Sequence, residues 1–252
     1  MTIAIAIPAD GPLFDGHFPG RPILPGIAEL TLFAQALSRE TGAGEVSAIP
    51  FMRFRGLVLP GDLLELEATR REQGGFRFEV RRAGEVVANG AMMFDVPPGE
   101  GPGPVPMAAR APRGAPPLAE LIPHRPPMLF VERILGEADD GATCLGRIPA
   151  GCALVSRGST PAFVALEVAA QTAAVWESLR RSRESGTPGL LSGYLVSLRD
   201  VVLHRPAVPA DADLIASIRL VAAAPPLTTY AADVSVFGEL ALTGTIGTYL
   251  SD

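Results

Sequence analysis

Residues Gly16–Gly26 read GHFPGRPILPG. One imidazole, His17, sits among three glycines and three prolines, and Arg21 is the only other ionisable side chain in the stretch. Proline fixes φ and glycine opens conformations closed to other residues, so such a run holds one shape rather than many. A histidine held this rigidly suits a base that must keep its geometry. Pro25-Gly26 then opens an apolar segment, and proline is well placed in a first helical turn. A helix is expected over roughly 25–39, with the backbone N–H groups of Gly26 and Ile27 pointing out of its positive end, where an oxyanion is favoured.

Working outward, the chain echoes itself. IPADGPLF from Ile7 returns as IPAGCALV from Ile148, FMRFRGLVLPGDLLELEA from Phe51 as VVLHRPAVPADADLIASI from Val201, and GEVVANGAMMF from Gly84 as GELALTGTIGTY from Gly238. Three echoes in one order imply two diverged copies of one fold. Between them lies DVPPGEGPGPVPMAARAPRGAPP, from Asp95 to Pro117, whose Pro and Gly content makes an extended, semi-rigid linker. The expected units are residues 1–95, a linker over 96–117, and residues 118–252. LLELEATRR and FRFEVRR alternate as strands do. In the second copy FVALEVAAQTAAVW is apolar on nearly every side, the mark of a buried helix, expected over 162–183. One buried helix per copy, wrapped by antiparallel strands, is an α+β arrangement.

Composition narrows the function. The chain has 252 residues, is 48% hydrophobic and carries a net charge of −6. That charge argues against nucleic acid as the main partner. No apolar run is long enough to span a membrane, and the amino terminus lacks the basic region of a leader. Cys144 and Cys152 read as small core residues of a reduced, cytoplasmic protein. With them and three histidines scattered, no metal site is expected.

GHFPGRPILPG resembles the signature loop of hotdog-fold 3-hydroxyacyl-carrier-protein dehydratases. LAELIPHRPPMLFVERIL, from Leu118, resembles their opening segment, and LSGYLVSLRDVVLHRPAVPAD, from Leu191, their central strand pair. The resemblance covers most of both copies and implies a double hotdog, a pseudo-dimer within one chain that could pair again. It is similar in this to the paired dehydratase subunits of aryl polyene synthesis.

The resemblance implies that a loop histidine and a helix carboxylate from the opposite domain eliminate water. The acid is expected fourteen residues after the histidine, with a glutamine four further on. Here that position is Thr31, followed by Gln35. Glu29 is near, but two residues along a helix point to different faces. The second copy has Glu167 and Gln171 in register, while its loop is about five residues shorter and carries no histidine. Copy one keeps the base and copy two the acid, so a single composite site from His17 and Glu167 is expected. An apolar setting would keep Glu167 protonated, to donate to the departing 3-hydroxyl while His17 removes the C2 proton; the alternative is that His17 makes both transfers and Glu167 holds a water, and the sequence leaves both open.

Gly26, Ile27 and Gln171 are the expected substrate-binding positions. Arg21, Arg53, Arg55, Arg125 and Arg157 are candidates for meeting an acidic acyl carrier protein and the phosphate of its phosphopantetheine arm, which carries the substrate; no other cofactor is implied. His124 is read as fixing the opening segment, His204 as structural or surface, and Trp176 as core or tunnel wall. Two other functions use the same fold: an acyl-thioesterase, and a non-catalytic carrier-binding partner.

Overall fold

The computed structural model describes residues 1–95, 101–108, 116–185 and 192–251. In chain order the first part runs β1 (Thr2–Ala6), α1 (Gly26–Thr41), β2 (Val46–Phe54), β3 (Leu63–Arg70), β4 (Phe76–Arg82) and β5 (Glu85–Phe94). The second runs α2 (Leu118–Leu121), β6 (Val131–Ala138), β7 (Gly141–Gly146), β8 (Ser159–Pro161), a 3-10 turn (Ala162–Ala165) and α3 (Leu166–Ser185). It closes with β9 (Ser192–Leu203), β10 (Ala207–Pro209), β11 (Leu214–Ala224), β12 (Leu227–Val236) and β13 (Glu239–Ser251).

Period-two patterning explains the strands. In β3, Leu64, Leu66 and Ala68 are buried while Glu65 and Glu67 face out; in β4, Phe76, Phe78 and Val80 point the same way as those leucines. Each such large apolar side chain taken from water stabilises the fold by about 2 kcal/mol. Eleven strands form one sheet in the order β1-β3-β4-β5-β2-β9-β13-β12-β11-β7-β6. Read inward from either side, β1-β3-β4-β5-β2 is matched by β7-β11-β12-β13-β9, with β6 added at the edge. β2 and β9 meet antiparallel at the centre, pairing Phe51 with Arg199 and Arg53 with Ser197. This is a double hotdog of the α+β class, with α1 and α3 packed within the sheet's curve on a shared core that includes Phe33, Leu37, Leu166 and Val168.

Pro25 caps α1 and Gly42, at φ 70°, ends it in the left-handed conformation typical of a helix C-terminus. The second helix differs from the single 162–183 helix expected. A 3-10 turn precedes it, because Pro161 fixes the entry and the tight turn seats Phe163 in the core.

Of the expected linker, residues 96–100 and 109–115 lie outside the described residues. Its described portion, 101–108, is fastened to a polar row crossing β7, β11, β12 and β13. Ser217 pairs in register with Thr143 and Asp233, and Asp233 with Thr243. The Val105 N–H donates to Asp233 Oδ2 at 2.5 Å and the Ala108 N–H to Thr143 Oγ1 at 2.9 Å. All four side chains of the row are buried, so the Pro-rich segment supplies partners that water supplies on an open sheet.

Candidate active site

The GHFPG loop closes on its own backbone. His17 N–H donates to the Phe14 carbonyl at 3.1 Å, and Ile23 N–H donates to the His17 carbonyl at 3.2 Å. His17 Nδ1 lies 3.2 Å from the Ile23 carbonyl oxygen. A carbonyl only accepts, so Nδ1 carries the ring proton and Nε2 keeps its lone pair. Phe18 stacks on the imidazole at 4.2 Å and meets the His124 ring edge-on at 5.0 Å.

Gly16 explains the glycine before the histidine. Its φ is 81°, and a Cβ there would lie 1.9 Å from the Arg125 carbonyl oxygen. Arg125 N–H in turn donates to the Gly16 carbonyl at 3.1 Å. The loop is thereby docked on the PHRPP segment. Gly16→Ala is expected to cost about 3 kcal/mol, since both the left-handed backbone and a main-chain collision oppose it. That corresponds to a fall in Tm of roughly 6–12 °C, to be read by thermal unfolding.

From the other direction, α3 presents Glu167 and Gln171 one turn apart on one face. Gln171 Nε2 donates to Glu167 Oε1 at 3.1 Å and to the Met128 carbonyl at 2.7 Å. Its Oε1 accepts from the N–H groups of Phe130 and Val131. His124 Nε2 lies 3.2 Å from Glu167 Oε1. His124 Nδ1 is buried with no hydrogen-bond partner, so the ring proton is best placed on Nε2, where Glu167 accepts it.

His17, His124 and Glu167 line one cavity of about 410 Å³, with Gly26 and Glu29 of α1 and a face of α3 formed by Ala170, Ala173, Ala174 and Glu177. Burial lowers His17 to a pKa of about 4, helped by His124 and opposed by Glu167 and the Ile23 carbonyl. Burial alone would raise Glu167. The hydrogen bond and charge of His124, the charge of His17 and the Gln171 amide outweigh it, and the carboxyl ends below its usual range. The expectation of a protonated Glu167 is therefore corrected: its surroundings are hydrogen-bonding, not simply apolar.

The remaining expected residues divide. Gly26 lines the cavity at the start of α1, whereas Ile27 is fully buried and not among the lining residues. Gln171 has its donors and acceptor engaged by protein, one donor on Glu167. Arg21 and Arg55 stand exposed at the cavity. Arg53 lies on the outer face of β2 beside Arg77 and Arg199. Arg125 is tied to the carbonyls of Ala119, Ile122 and His124, and Arg157 is not among the lining residues. Thr31 and Gln35 face a second cavity of about 320 Å³, whose other walls include Pro161 and Phe163.

Trp176 is core, its Nε1–H donating to the Ala138 carbonyl, and His204 is exposed beside Thr243. His124 and Glu29 line the cavity without having been expected there. For His124 the signal was present: a second imidazole flanked by proline, in PHRPP.

Among the described residues, no group of three or more His, Cys, Asp or Glu side chains is placed to hold a metal ion, and no helix is long and apolar enough to cross a membrane. A family model for ApeP dehydratases matches residues 116–252, and one for ApeI dehydratases matches residues 1–91. The chain is 38% identical over 104 residues to the 3-hydroxyacyl-(acyl-carrier-protein) dehydratase FabZ of Cereibacter sphaeroides, covering 35% of this chain and 67% of that protein. It is 36% identical over 97 residues to FabZ of Herpetosiphon aurantiacus, covering 34% and 69%. Among solved structures, the dehydratase domain of PpsC from Mycobacterium tuberculosis superposes with a TM-score of 0.69 at 16% identity, covering 99% of this chain and 93% of that one. A monomeric dehydratase domain from a trans-AT polyketide synthase split module gives 0.70 at 12% identity, covering 100% and 99%. These low-identity likenesses speak for the double hotdog fold, and the family matches for the chemistry: the chain belongs to the ApeP-like family of hotdog-fold dehydratases and is a hydro-lyase.

Proposed function

We propose that the protein converts (3R)-3-hydroxyacyl thioesters, carried on the phosphopantetheine arm of an acyl carrier protein, into trans-2-enoyl thioesters and water. The setting is fatty acid, polyene or polyketide synthesis. The chemistry occurs at one composite site, His17 coming from an amino-terminal hotdog (1–95) and Glu167 from a carboxy-terminal one (118–252). One observation carries this reading: the two residues line a single cavity. The corresponding positions of the other cavity hold Thr31 and no histidine.

The protonation directions support the following steps. The thioester carbonyl accepts from the Gly26 N–H, which has no acceptor within the helix. His17 Nε2 takes the C2 proton, the C2–H electron pair becomes the C2=C3 π bond, and the C3–O bond breaks. The imidazolium returns its proton to the departing oxygen, giving water and regenerating His17. A ring with so low a pKa is a strong acid once protonated, which suits this return. Ionised Glu167 stabilises the transient imidazolium and accepts a hydrogen bond from the water. Exposed Arg21 and Arg55 receive the arm's phosphate at the mouth.

Two measurements follow. Incubation with a (3R)-3-hydroxydecanoyl-carrier thioester is expected to show loss of one water by mass spectrometry with no free thiol released; thiol without water loss would make the protein a thioesterase. The acid limb of kcat/KM is expected near pH 4, because His17 stays unprotonated well below the ordinary histidine range while facing His124 and Glu167. A limb between pH 6 and 7 would contradict a buried base. Stability has the same sign: with the folded pKa below the unfolded value of 6.5, the contribution is complete above pH 6.5 and disappears as pH falls towards 4.

A further inference from the structure

Glu29 is 3% exposed, lines the cavity of His17 and Glu167 from α1, and has an Oε2 with no hydrogen-bond partner. A buried carboxyl without a partner is costly and is not kept by packing alone. The other two carboxyls of the cavity are answered by protein. Glu167 is bonded by His124 and Gln171. Glu177 accepts from Tyr230 Oη at 2.6 Å and from Arg180 at 2.9 Å.

The fold does not require an acid at this place. With Thr31 corresponding to Glu167 and Gln35 to Gln171, Glu29 corresponds to Ala165, which is fully buried. The cavity that Glu29 lines has a volume of about 410 Å³. Ala170, Ala173 and Ala174 form a wall of small side chains on α3, where larger residues would fill the space.

Glu29 lies one turn beyond Gly26 along α1, about 4.5 Å from the helix start assigned to the thioester carbonyl, so a part of the substrate other than that carbonyl is the group that would meet it. Burial holds the Glu29 carboxyl well above the usual carboxylate range, so it is a neutral group able both to donate and to accept.

We propose that Glu29 is a specificity-determining residue whose carboxyl hydrogen-bonds an oxygen substituent on the acyl chain beyond C3, so that the cavity selects oxygenated chains over plain hydrocarbon ones. The proposal rests on the dehydratase reading of the same cavity. It predicts a polar match in the cavity, where a simple fatty acyl chain leaves Glu29 unanswered.

The test compares kcat/KM for water loss from (3R)-3-hydroxydecanoyl pantetheine with that from a panel bearing one further hydroxyl at C5, C7 or C9. Wild type is expected to prefer one member of the panel over the plain chain by about tenfold, the effect of one buried hydrogen bond. Glu29→Leu is expected to bring that ratio to about one, and Glu29→Gln, which still donates and accepts, to keep it within about threefold. Water loss with no preference in wild type, or a preference that survives Glu29→Leu, overturns the proposal and leaves the dehydratase reading standing. No water loss from any thioester overturns both. If Glu29→Leu does not fold, a preference lost in Glu29→Gln counts against hydrogen bonding as its cause.

Discussion

His17→Ala is expected to lower kcat for water loss by about 10⁴-fold, at the upper end of what one acid–base group supplies, because one imidazole takes the C2 proton and returns it to the leaving oxygen. No neighbour replaces it. Glu167 is held ionised by His124 and Gln171, and His124 offers its Nε2 proton to Glu167. The fold should survive, since the side chain's one hydrogen bond, to the Ile23 carbonyl, contributes only about 1 kcal/mol. The loop remains closed by backbone bonds from Phe14 and Ile23. A Tm within a few degrees of wild type, together with the kinetic loss, separates chemistry from unfolding. Retained water loss would remove His17 from the mechanism, and retained thiol release alone would mark a hydrolase in which a carboxylate activates water.

Much of this site was legible in the sequence because its rigid parts are local. Gly, Pro and His at fixed spacing write the loop, and Glu167 with Gln171 one turn apart write a helix face. The paired echoes implied two similar units, and the mirrored strand order of the sheet fits them. What could not be read depends on which side chains meet across long separations. The His124–Glu167 contact spans 43 positions, and it reverses the protonation expected of a carboxyl on an apolar helix. The hydrogen bonds of Gln171 to the backbone of Met128 and Phe130 span 43 and 41 positions and are of the same long-range kind. Glu29 points away from the Thr31 face, as two residues along a helix do: it is absent from the cavity that Thr31 lines and lines the cavity of His17 and Glu167.

Glu167→Gln is expected to reduce kcat by about 10²–10³-fold while leaving the protein folded, and the size of the residue matters as much as the loss. The amide oxygen can still accept from His124 Nε2 and Gln171 Nε2, so the local hydrogen bonds survive and only the charge is removed. Without that charge the His17 imidazolium loses its stabiliser. Its pKa therefore moves further below about 4, and the acid limb of kcat/KM shifts down in the variant. A proton-donating Glu167 predicts something else: activity lower by a further order of magnitude or more, and loss of the basic limb that a titrating acid gives wild type. Glu167→Ala separates position from charge. It strands His124 Nε2 and one Gln171 donor in a buried site, so about 3 kcal/mol of stability should go with the activity. An alanine variant as stable as the glutamine one would mean that His124 and Gln171 do not depend on this carboxylate, and the electrostatic role assigned to it would fall with them.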